Sequence, residues 1–96
     1  MIKNDIEYGR LTVDEEPLLI RFESELFILV TRRGYVPAAL VYTVKTKKRF
    51  HILLSAQSLS EQLEPIRLSN NGRLLGIEVW VRKAGPDKMS KYILEQ

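Results

Sequence analysis

The sequence predicts an α+β fold: a curved, mostly antiparallel β-sheet of five to six strands with one short helix, or the same strands drawn into a partly open barrel. Three observations carry this expectation. Apolar residues recur at period two through Leu18–Phe22, Leu40–Val44, Phe50–Leu54 and Leu75–Val81, the spacing of strands with one face on a core. Only the segment after Ser58 joins a helix-start signal to apolar residues at helical spacing,. Turn-forming residues at Gly34, Asn70-Asn71-Gly72 and Gly85-Pro86 separate the segments,. A chain of 96 residues supplies one core, so residues 1–96 form a single domain,.

The elements follow in order. Residues 1–16 are acidic and end in Asp14-Glu15-Glu16-Pro17; Gly9 to Val13 reads either as a short edge strand or as part of a loose N-terminal arm,. Leu18, Ile20 and Phe22 then alternate with Leu19, Arg21 and Glu23. Glu23-Ser24-Glu25 reads as a polar turn into a partner strand from Leu26 to Arg33,. Arg32-Arg33-Gly34-Tyr35-Val36-Pro37 breaks that strand, because Pro removes a ladder donor,. A second hairpin places Leu40, Tyr42 and Val44 on one face, turns at Lys47-Lys48, and resumes with Phe50, Ile52 and Leu54.

Ser58-x-x-Glu61 fits a capping box, and Ala56, Leu59, Leu63 and Ile66 form one apolar stripe on a helix that Pro65 ends near Glu64,. The last clear strand runs from Arg73 to Lys83, with Leu75, Ile77, Val79 and Val81 on its core face. Tyr92-Ile93-Leu94 forms a final edge strand.

Composition narrows the functional classes. The longest apolar run is interrupted by Arg21, Glu23 and Glu25, and the N-terminus lacks a signal-like apolar stretch, so no membrane segment is expected and the protein reads as cytoplasmic or otherwise intracellular,. Without cysteine, and with a single histidine, no disulfide, thiolate site or metal-ligand cluster is expected,. His51 reads as a half-buried sheet residue, and Ser55, Ser58 and Ser60 as helix-start residues rather than nucleophiles,. Neither a phosphate-binding loop nor a dinucleotide fingerprint occurs,. The chain is therefore expected to have no catalytic residues, no metal and no cofactor, and not to be an enzyme.

Charge is the strongest functional signal. The first 25 residues hold seven acidic and three basic side chains, a net of −4, and the rest net +7. Between Leu26 and Ser60 there is no Asp or Glu, yet Arg32, Arg33, Lys45, Lys47, Lys48 and Arg49 all occur. Segregation of this kind points to a polyanion surface. Arg82 and Lys83 add to it. Trp80 alternates away from the aliphatic row and stands two residues from both Glu78 and Arg82. It reads as a base-stacking platform or as the cover of a second small core or dimer interface. Tyr35, in a basic loop, is a second stacking candidate, whereas Tyr42 is expected in the core.

The stretch Phe50-His51-Ile52-Leu53-Leu54-Ser55-Ala56-Gln57-Ser58-Leu59-Ser60-Glu61-Gln62-Leu63-Glu64, then Gly76 to Lys83, then Lys91-Tyr92-Ile93-Leu94-Glu95, gives a strand, a Ser-led helix, a basic strand and a Tyr-containing edge strand. This plan, covering about half the chain, resembles small single-stranded-DNA-binding proteins of phages, plasmids and archaeal rod-shaped viruses. The resemblance implies sequence-independent binding of single strands during viral or plasmid genome replication or repair, in an infected host cell, by a homodimer with a groove.

The reading from sequence is thus a non-sequence-specific single-stranded nucleic-acid binder, DNA before RNA. Arg32, Arg33, Lys45, Lys47, Lys48, Arg49, Arg82 and Lys83 would contact phosphates, and Tyr35 and Trp80 would stack on bases. The alternative is a protein–protein adaptor or inhibitor whose basic hairpin meets an acidic partner.

Overall fold

A computed structural model describes residues 2–3 and 8–96. The chain is α+β: the described residues form one open, mostly antiparallel sheet and a single helix, in the order β1 (Ile2–Lys3), β2 (Leu18–Phe22), β3 (Phe27–Thr31), β4 (Gly34–Thr43), β5 (Lys48–Leu53), α1 (Gln57–Ser69), β6 (Glu78–Lys83), β7 (Tyr92–Glu95). Of the two forms the sequence allows, the sheet stays open rather than closing into a barrel. Residues 1 and 4–7 of the predicted arm lie outside the described residues. Gly9 to Leu11 bridge β5 at His51, and Leu11 and Val13 are buried in the core.

The ten-residue β4 organises the sheet. One edge pairs with β5, from Ala38↔Leu53 to Thr43↔Lys48. Its other edge pairs with β3 near its start, Phe27↔Ala38 to Thr31↔Gly34, and with β2 near its end, Ile20↔Thr43 to Phe22↔Val41. The first predicted hairpin is therefore wrong: β2 and β3 do not pair but lie end to end along β4. Glu23 to Leu26 form a bulge between them. The Glu23 amide donates to the Leu40 carbonyl at 2.8 Å, and Ser24 Oγ accepts the Leu40 amide at 2.9 Å. These polar side chains thus close a gap in a ladder rather than reverse the chain.

The two strands present their apolar rows to opposite faces, as the odd spacing from Phe22 to Phe27 requires,. Ile20 and Phe22 point to the helix side and join the main core with Ala39, Val41, Ile52, Leu59, Leu63, Val79 and Val81. Past the bulge, Phe27 and Leu29 bury on the opposite side with Ala38, against Val36, Leu40 and Leu53.

Two more expectations fail at prolines and turns. Pro37 does not break the sheet but lies within β4. Its carbonyl accepts the Leu54 amide just past the end of β5, so its missing N–H points to an edge where the ladder stops,. Arg32-Arg33 is the turn, with Gly34 at φ 105° and the Thr31 hydroxyl accepting the Arg33 amide at 3.2 Å,. The helix likewise continues through Pro65 to Ser69, and its N-cap is Ala56 without a side-chain cap bond. Ile66 packing on the core and Arg67 binding the Gly72 carbonyl at 2.8 Å hold the turn beyond the proline.

Ser58 does not cap; its hydroxyl accepts the Tyr92 amide at 3.1 Å. Gln62 donates to the Tyr92 carbonyl at 2.6 Å and accepts the Leu94 amide at 2.9 Å. Two side chains one helical turn apart thus serve the open edge of β7 where another strand would. The last long strand is also shorter than predicted. Arg73 to Ile77 turn, Leu75 is exposed, and regular pairing starts at Glu78. Glu25 causes this, since its two oxygens accept the Leu74 and Leu75 amides at 2.9 Å each.

Candidate nucleic-acid interface

The sheet face opposite α1 is where the polar residues of alternating strands collect. Across it runs one register row, Arg49↔Tyr42↔Arg21↔Glu78, contributed by β5, β4, β2 and β6. The next row is Leu19↔Trp80↔Glu95. Arg82 follows Trp80 by two residues and so shares its face. Trp80 is 39% exposed. It stands two strand spacings, roughly 10 Å, across from β4.

Tyr42 belongs to this face, not to the core as expected. It is half-buried, with the Arg21 guanidinium 4.9 Å and the Arg49 guanidinium 5.5 Å from its ring centroid. Alternation explains the error: Val41 and Thr43 take the helix side, so Tyr42 must take the other,. The two arginines are held loosely by carboxylates. Arg21 lies 3.5 Å from Glu23 and 3.8 Å from Glu78, and Arg49 lies 3.9 Å from Glu23. Exposed pairs at such separations contribute little. Arg21 was not among the sequence candidates, although its place between Ile20 and Phe22 already assigned it to the face away from the core.

The remaining candidates sort by place. Lys47, Lys48 and Arg49 are exposed at the β4–β5 turn, where Lys47 adopts φ 57°. Thr43 is buried beneath that turn, its hydroxyl bonded to Thr46 Oγ1 and to the Lys48 carbonyl. Lys45 turns elsewhere and lines a cleft of about 300 Å³ with Asp14 and Glu16. Lys83 alternates to the helix side, where its Nζ donates to the Lys88 carbonyl at 3.3 Å and sits 5.4 Å from the Tyr92 ring. Arg32 and Arg33 are exposed at the other end of β4, which places the two basic turns roughly 30 Å apart,. Tyr35 is 71% exposed beside them, but it projects to the side away from Tyr42,.

His51 is half-buried, as expected, with Nδ1 3.0 Å from the Tyr8 carbonyl. Among the described residues no group of three His, Cys, Asp or Glu side chains could hold a metal, and no helix is long and apolar enough to cross a membrane. No protein-family model matches the chain, and neither a curated protein nor a solved structure matches it significantly.

Proposed function

We propose that this protein binds single-stranded nucleic acid, DNA before RNA, with little sequence preference, across the sheet face opposite α1. One observation carries the reading: an exposed tryptophan stands on that face with Arg21, Arg49 and Arg82, and α1 covers the other side. Trp80 offers a π-face that accepts any base, a stack worth about 1–3 kcal/mol. Arg21 and Arg49 are only loosely paired, so a phosphate can take them from Glu23 and Glu78 at small cost,. Lys47 and Lys48 extend the phosphate track at one end,.

Adding oligo-dT should quench the single tryptophan, and the affinity should fall linearly on a log–log salt plot. Unchanged fluorescence together with no binding at low salt would overturn the proposal. Lys47→Ala with Lys48→Ala should weaken all sequences alike and flatten the salt slope for a single strand by about 1.4.

A protein partner is the second reading, favoured by a different place from the basic hairpin. A groove of about 500 Å³ between α1 and the bulge is lined by Leu26, Pro37, Leu54, Leu63 and Leu74, and Leu26 is 52% exposed. Leu26→Asp should leave oligonucleotide binding intact and abolish capture of a protein partner, if that reading holds.

A further inference from the structure

At the far end of β4 from the lysine turn, a cleft of about 460 Å³ is lined by Arg10, Thr31, Arg32, Arg33, Val36, Leu53 and Ser55. The sequence brings these residues from three places. Arg10 arrives because Gly9 to Leu11 bridge β5 at His51, and Arg32-Arg33 form the β3–β4 turn. Ser55 follows β5 directly. Val36 and Leu53 belong to the small cluster on the side away from α1, so the cleft opens on the same side as Tyr42 and Trp80,.

Among the described residues, none of the three arginines has an ion-pair partner and no carboxylate lines the cleft. Three guanidiniums and the Ser55 hydroxyl over an apolar floor suit an anion with several acceptor oxygens, while Thr31 Oγ1 gives its proton to the Gly34 carbonyl at 2.9 Å,. A phosphodiester carries a single charge. A phosphomonoester carries about −1.5 to −2 at neutral pH and presents three strong acceptor oxygens. Its size also suits a group with some of its sugar, since small-ligand clefts span about 300–1,000 Å³.

We infer that the Arg10–Arg32–Arg33 cleft is a phosphomonoester-binding site, distinct from the stacking face around Trp80. The monoester is either the terminal phosphate of a strand or that of a free nucleotide. The first source rests on the function proposed above; the cleft itself does not. If a strand end docks here, the rest of the strand has a direct course along β4 past Leu40 to Tyr42.

Titrating inorganic pyrophosphate into the isotope-labelled full chain tests the cleft. Amide shifts should concentrate at Arg10, Thr31 to Gly34 and Ser55. They should vanish in Arg32→Gln with Arg33→Gln and persist in Lys47→Gln with Lys48→Gln. Shifts centred on Lys45 to Arg49, or none at millimolar pyrophosphate, would overturn the inference. A second arm compares decameric oligo-dT with a 5′-phosphate, a 3′-phosphate or neither. About tenfold tighter binding of one phosphorylated form assigns the cleft to a strand end. Equal affinities with the pyrophosphate shifts intact assign it to a free nucleotide, which thymidine monophosphate should then reproduce. Loss of all oligo-dT binding with those shifts intact would sink the nucleic-acid proposal and leave the cleft standing.

Discussion

Glu25 lies in the bulge between β2 and β3, and its carboxylate joins that bulge to the Arg73–Gly76 turn through the Leu74 and Leu75 amides. Those two backbone bonds, first that from Leu74, hold its pKa below the usual value, with Arg73 and Arg67 helping. A carboxylate with a depressed folded pKa stabilises the native state above its unfolded pKa. That contribution is lost as pH falls from the ordinary glutamate range through the folded value. Glu25→Gln should therefore lower the unfolding free energy from urea denaturation at pH 7 by about 1 kcal/mol, for an exposed charge-assisted pair. The difference from wild type should shrink as unfolding is repeated toward pH 3. At the same scale, Trp80→Ala should cost oligo-dT about 1–3 kcal/mol of binding without lowering the thermal midpoint much, since the ring is exposed,; equal binding would assign Trp80 no contact with bases. What the sequence conceals here is partnership. Arg21 is legible as an outward residue from its neighbours, but Arg10 looks like part of an acidic arm until the His51 bridge brings it to Arg32 and Arg33.

Among the elements, the strands with simple alternation are legible and the junctions are not. The β4–β5 hairpin, the Leu59–Leu63 stripe, the Asn70-Asn71-Gly72 turn and the terminal strand all follow from period and turn chemistry. The β2–β3 junction misleads because Glu23-Ser24-Glu25 has turn composition, while its real bonds go to Leu40, Leu74 and Leu75, far away in sequence. Pro65 misleads in the opposite direction, since packing of Ile66 outweighs a broken helix bond,. Because Pro65 is exposed and interior to α1, Pro65→Ala should restore a donor to the Glu61 carbonyl,. Its unfolding free energy from urea denaturation should rise by about 1–3 kcal/mol; an unchanged or lowered value would mean that the proline acts chiefly on the unfolded chain. Gln62→Leu should do the reverse, because Tyr92 and Leu94 would lose the side chain that completes their edge. Light scattering of that variant should show concentration-dependent association through the exposed strand.

At the level of the whole molecule, the polarity of the sequence is softened in space. The acidic 14–16 segment returns to the β4–β5 turn, where Asp14 and Glu16 share a cleft with Lys45, so the lysine turn is less cationic than its composition suggests. The fold class was legible because β2, β4, β5 and β6 alternate at period two, with one helical stripe among them,. The face was legible only in part, because knowing that Trp80 points outward does not say which arginines stand beside it. Opposite ends of a single ten-residue strand carry the Lys47-Lys48 turn and the arginine cleft, roughly 30 Å apart,. That distance acts as a ruler for whatever lies along it. An oligomer too short to reach both ends can engage only one set of cations, so affinity and salt slope should rise in a step, not smoothly, as oligo-dT is lengthened one nucleotide at a time.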